Sequence, residues 1–158
     1  MSDVLEQDFQ QAVRTAVTAA KIPVRLWRQP TGKILPRQGG AIEGAPPGAA
    51  DLTGVPTTGS GVRIEVELKG ARTKVGDDQD TWRDNVTAWS CGYARIRYDR
   101  KRSFEQNVEA AVATIADLVA RFGCTHPDED LVQHAACGVV CTRCGWRNGG
   151  RPREAPGG

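Results

Sequence analysis

Four side chains stand out by type and spacing: Asp51, Glu67, Lys69 and Gln79. Glu67 and Lys69 lie in the stretch VRIEVELKG, Val62–Gly70, whose residues alternate strictly. Val62, Ile64, Val66 and Leu68 fall on one side, and Arg63, Glu65, Glu67 and Lys69 on the other. Period-two alternation predicts a strand, with neighbours on one face roughly 6 to 7 Å apart. An acid-x-lysine pair on such a face can bind a divalent cation through the carboxylate. Its ammonium can act on a nearby water or phosphate. A solvated edge strand gives the same alternation. The neighbouring segments therefore decide what the strand is for.

Asp51-Leu52-Thr53-Gly54-Val55 predicts a short strand that begins at a carboxylate, and PTTGSG, Pro56–Gly61, predicts the turn after it. The two strands then form an antiparallel pair that brings Asp51 near Glu67. Downstream, Asp77 and Asp78 are candidate helix starts, and Trp82, Val86 and Trp89 recur at i, i+4 and i+7. Gln79 lies three residues before Trp82 on that inward-leaning face, where an amide needs a polar partner. Phosphodiester hydrolysis at neutral pH needs a metal to acidify water and neutralise charge on the phosphate. Hard cations such as Mg²⁺ take a few carboxylate oxygens and keep several waters. Two acids on adjacent strands, with a lysine two residues beyond one of them, supply that set.

The remaining elements have to hold these residues. Met1–Ala20 reads as an amphipathic helix, with Asp3 and Glu6 at capping-box spacing and Pro23 beyond its end. Val24–Arg28 alternates like a strand, and Gln29–Ala50, rich in Gly and Pro, reads as hairpin and loop with a short strand at Lys33–Leu35. Gly70–Gly76 is a basic loop and Tyr93–Tyr98 a strand. Ser103 and Gln106 form a capping box for a long helix with the stripe Val108, Val112, Ile115, Val119 and Phe122. This order predicts an α/β fold, a central mixed sheet with helices on its faces.

At these residues the chain resembles the VRR-NUC branch of the PD-(D/E)xK nuclease superfamily. GAAD at Gly48–Asp51, IEVELK at Ile64–Lys69 and QDTW at Gln79–Trp82 occur in that family's order, preceded by RLWRQPTG, Arg25–Gly32. The likeness spans residues 2–99. It implies a restriction-endonuclease-like core and Mg²⁺- or Mn²⁺-dependent cleavage of DNA. By that likeness Asp51 and Glu67 bind the metal, with Glu6 as the first-helix acid that completes the set. Lys69 positions or activates the attacking water, Gln79 assists, and Arg28 contacts phosphate. The chain departs from the family in Gln29-Pro30, where an Asn often follows the arginine, and in Glu65, an extra acid on the active face. Only Glu67 has the lysine two residues later.

The 158 residues carry 39% apolar and 25% charged side chains with a net charge of +2, ordinary for a soluble globular protein. No apolar run is long enough to span a bilayer and no signal-peptide core is present, so a cytosolic location is expected, in a bacterium or a phage-infected host. Five cysteines, an odd number, favour metal ligands and free thiols over disulfides. Cys124-x-His126 and Cys141-x-x-Cys144-Gly145 have the spacing of a structural Zn²⁺ knuckle, with Cys137 and His134 as alternative ligands. Cys91, beside Gly92, reads as a packed apolar side chain. The expected organisation is a nuclease domain over 1–123, a zinc knuckle over 124–146 and a basic tail over 147–158. Arg28, Lys33, Arg72 and Lys74 flank the acids and supply the cationic approach that a DNA backbone needs. The expected activity is that of a DNA endonuclease, with branched DNA or Holliday junctions among the candidate substrates and a homodimer among the candidate assemblies. The rival from another class is a non-catalytic DNA-binding or packaging adaptor on the same fold.

Overall fold

The structure is a computed structural model that describes residues 6–32, 43–58 and 60–123, together with the backbone of 33–34, 42, 131–134 and 138–141. In chain order the elements are α1 (Glu6–Ala19), β1 (Val24–Arg28), β2 (Lys33–Ile34), β3 (Ile42–Glu43), β4 (Leu52–Pro56) and β5 (Ile64–Lys69). They continue with α2 (Asp77–Ala88), β6 (Gly92–Arg97), α3 (Phe104–Phe122), β7 (Leu131–His134) and β8 (Gly138–Cys141). A four-stranded mixed sheet of order β1-β4-β5-β6 is flanked by helices, as the alternation of elements predicts. β1–β4 and β4–β5 pair antiparallel, and β5–β6 pair parallel. A parallel neighbour needs a crossover, and α2 supplies it.

One face of the sheet carries the apolar core. Leu52, Ile64, Val66, Leu68 and Ile96 bury themselves there with Phe9, Val13 and Val17 of α1 and Ala111, Ile115, Leu118 and Val119 of α3. Each such large apolar side chain contributes about 1.5 to 3 kcal/mol when fully buried, so this face anchors the fold. Ser103 caps α3: its hydroxyl accepts the Gln106 N–H, and Gln106 Oε1 accepts the Ser103 N–H. Gly123 ends the helix, as its sequence position predicts.

The opposite face differs from a simple edge-strand expectation. β5 is interior to the sheet and buried on both sides, so its charged residues face protein. α2 lies over that side, starting at Asp77 after Gly76 as its N-cap. Val86 is buried, whereas Trp89, the third position of the apolar stripe, is 61% exposed. The helix ends at Ala88, so Trp89 serves as C-cap and packs its ring edge against Trp82 at a centroid distance of 6.1 Å.

The loop before β4 is tied to the start of α2. Gly48 has φ +81, and a Cβ there would lie 2.1 Å from the Asp78 carbonyl oxygen. Only glycine allows that approach. The loop that delivers Asp51 is thereby set against the turn that delivers Gln79.

In the C-terminal part, β7 and β8 form an antiparallel hairpin in which Leu131 pairs with Cys141 and His134 with Gly138. Sequence periodicity did not reveal these strands. Cys141 is the last residue of β8; Cys124, His126, Cys137 and Cys144 lie outside the described residues, as do Met1–Leu5 with Asp3 and the tail. No described helix is long and apolar enough to cross a membrane.

Candidate active site

The site forms where β4 and β5 part. Their pairing ends at Leu52–Val66, and the Leu68 N–H turns instead to Asp51 Oδ2 at 2.7 Å. Asp51 Oδ1 accepts the Gln10 side-chain amide of α1 at 2.9 Å. The Asp51 carbonyl accepts the Gln29 N–H at 2.9 Å, which carries the β1–β4 pairing one residue further. Backbone, α1 and β1 thus hold Asp51 from three sides.

Glu67 reaches the same region from β5. Its Oε1 is 2.6 Å from Lys69 Nζ and also accepts the Gln79 side-chain amide. Gln79 has a second task, because its Oε1 accepts the Gly76 N–H at the start of α2. One side chain therefore fixes a helix end and orients the Glu67 carboxylate. Glu67 and Lys69 are 1% and 4% exposed, while Asp51 is half-buried and is the more accessible of the two carboxylates.

Burial raises the Asp51 pKa from the usual 3.8 to about 6, with the negative charge of Glu67 as the next cause. Glu6 pushes the same way, while the Leu68 N–H and Lys69 pull it down. Such a site carries more negative charge than its protein cations neutralise, and a dication relieves that excess. The hard oxygens of Asp51 and Glu67 fit Mg²⁺ or Mn²⁺, which are commonly held by one or two carboxylates plus water. Among the described residues no three His, Cys, Asp or Glu side chains converge on one point. Glu6 stands close enough to act on Asp51, but its Oε2 accepts the Gly70 N–H and the Thr73 hydroxyl, each at 3.2 Å. Those bonds hold the basic loop, and Arg97 grips the same loop from the carbonyls of Gly70 and Thr73.

The flanking cations are placed unevenly. Arg28 is exposed at the end of β1, and Arg72 and Lys74 are exposed on the loop that Glu6 and Arg97 hold. Lys33 lies in β2, its backbone opposite Glu43 of the antiparallel β3. Cys91 is half-buried, and burial pushes its thiol up, which suits packing better than nucleophilic chemistry.

Glu65 belongs to a separate network. Its Oε1 accepts the Thr53 hydroxyl at 3.1 Å and pairs with Arg63, and its Oε2 accepts the Trp82 indole N–H at 3.0 Å. Gln10 was not among the sequence candidates. Its signal was available: with Glu6 at i and Gln10 at i+4, an acid and an amide share one side of a helix that otherwise buries Phe9, Val13 and Val17.

No protein-family profile matches the chain, and no curated protein sequence matches it significantly.

Proposed function

We propose that the chain is a divalent-metal-dependent DNA endonuclease with a PD-(D/E)xK core of the VRR-NUC kind. One observation carries the reading: Asp51 and the Glu67–Lys69 pair meet at the fork between β4 and β5. Asp51 and Glu67 would hold Mg²⁺ or Mn²⁺; when bound, such an ion neutralises charge on the scissile phosphate and lowers the pKa of water.

The chain's own residues then divide the work. Lys69 Nζ spends one donor on Glu67 and has two more for a phosphate oxygen or the attacking water. Gln79 keeps Glu67 Oε1 in place, and Gln10 does the same for Asp51 Oδ1. Arg28, Lys33, Arg72 and Lys74 offer the DNA backbone its counter-charges. Near the C-terminus, Cys124, His126, Cys141 and Cys144 are proposed to hold a structural Zn²⁺. The β8 strand ends at Cys141, the first cysteine of the C-x-x-C spacing of a knuckle.

The test is incubation of plasmid and branched DNA with Mg²⁺ or Mn²⁺, wild type beside Asp51→Ala and Lys69→Ala. Nicking or cutting by wild type that both substitutions abolish is the expected result. DNA binding without cleavage on every substrate would favour the adaptor reading instead.

A further inference from the structure

α2 covers only part of the sheet face that carries Glu65 and Glu67. The face continues onto β4 and β1, where, among the described residues, Trp27 is 45% exposed and Val55 38%, although Thr53 opposite Trp27 is buried. Registers fix their positions: Trp27 lies opposite Thr53, which lies opposite Glu65, and Arg25 lies opposite Val55. Strand alternation therefore puts Arg25, Trp27 and Val55 on the same face as Glu67. Arg63 reaches over this area, donating to Thr53 Oγ1 at 3.0 Å and Gln29 Oε1 at 2.7 Å. Neither β1 (VRLWR) nor β4 (LTGVP) contains a carboxylate, so Arg25 brings positive charge beside the indole, while the charge of Arg63 is matched by Glu65 Oε1 at 2.5 Å.

An exposed indole bordered by an arginine has the chemistry of a base-stacking platform. The ring accepts a base face, and the cation meets a flanking phosphate. Its distance from the site is also suitable. Gln29 pairs with Asp51 two residues beyond the Trp27–Thr53 pair, so the Trp27 and Asp51 backbones stand about 8 Å apart as diagonal neighbours. A base on Trp27 would belong to a nucleotide next to the phosphate held at Asp51. A base inside an intact duplex is stacked on its neighbours and hides its face, so the platform suits a strand with an unpaired base.

We infer that Trp27, flanked by Arg25, is a stacking platform for an unpaired base next to the phosphate position at Asp51. This rests on the nuclease reading for the meaning of the adjacent site.

The test measures binding by fluorescence anisotropy of end-labelled DNA with the full chain, without divalent cation so that nothing is cut. The probes are a duplex with a single-stranded arm, the same duplex with an abasic arm, and a blunt duplex. Wild type is expected to bind the base-bearing arm about tenfold tighter than the abasic one, and Trp27→Ala to lose that difference while changing abasic binding by less than about twofold. Trp27→Phe should keep most of the preference. Indifference of wild type to the missing bases, or an equal loss on both arms in Trp27→Ala, overturns the inference. The wild-type comparison alone decides the matter should Trp27→Ala fail to fold. Cleavage with Mn²⁺, scored separately, distinguishes the two readings. Cutting without base-dependent binding defeats only the platform, and base-dependent binding without cutting defeats only the nuclease.

Discussion

Glu65 and Glu67 share one face of β5, two residues apart, and their carboxylates belong to different donor sets. Glu65 is enclosed by Arg63, Thr53 and Trp82, which occupy both of its oxygens. Glu67 meets Lys69 and Gln79 through Oε1 alone. The first arrangement holds α2 onto the sheet, and the second leaves an oxygen for a cation. Glu65→Gln should therefore lower stability by about 1 to 3 kcal/mol, since it removes the charge from a buried network. Cleavage per folded molecule should stay near wild type. Glu67→Gln should abolish cleavage and also destabilise, because Lys69 loses its buried counter-charge. Urea unfolding beside plasmid cleavage separates the two; equal loss of cleavage in both variants would contradict the division.

Asp51 gives the site a pH dependence of known sign. Its folded-state pKa is raised to about 6 from 3.8, so its contribution to stability is complete below 3.8 and is lost as the pH rises through about 6. The loss is on the order of 2 kcal/mol after allowance for solvent screening of a half-buried group. Thermal unfolding of Asp51→Asn without metal should lack that decline relative to wild type. Mg²⁺ or Mn²⁺ competes with the proton for this carboxylate, so the rise in Tm that the ion produces should shrink below about pH 6. A metal-induced shift that is the same at pH 5 and pH 8 would exclude Asp51 as a ligand.

Much of this was legible because local patterns and tertiary contacts agree. The β5 alternation, the Ser103–Gln106 box and the Gly123 stop each follow from spacing, and each is found in the structure. The pairing of β4 with β5 followed from a short turn between two short apolar runs. The burial of the charged β5 face did not. It depends on α2 folding back from beyond a loop, and on donors far apart in the chain: Thr53 and Trp82 reach Glu65 from 12 and 17 residues away. Trp89 misled for a related reason, since periodicity cannot tell that α2 stops one residue earlier. Gln10 was hidden because an amide inside an amphipathic helix reveals its purpose only when its partner, 41 residues away, is in place.

Gln79 joins the helix start to the site, and its two roles can be separated. Gln79→Ala removes both and should cost about 1 kcal/mol of stability together with most of the cleavage. Gln79→Glu keeps an acceptor for the Gly76 N–H, and a carboxylate suits a helix N-terminus. It also places a negative charge against Glu67. That variant should unfold no earlier than Gln79→Ala yet cleave poorly at pH 8. Full activity in Gln79→Glu would mean that the contact with Glu67 is dispensable.

Glu6 tests whether the first-helix acid serves the cation or the loop. Its Oε2 holds the Gly70 N–H and the Thr73 hydroxyl, and the loop so held presents Arg72 and Lys74. Glu6→Gln retains an acceptor for both donors, whereas Glu6→Ala releases them. Should the loop bonds be its main task, Glu6→Gln keeps most of the activity, and Glu6→Ala weakens DNA binding with faster amide exchange at Gly70 and Thr73. The bonds to neutral donors contribute only about 0.5 to 1.5 kcal/mol each, so the loop should loosen without unfolding the domain. A loss of metal affinity in Glu6→Gln, with exchange at the loop unchanged, would instead assign the carboxylate to the cation.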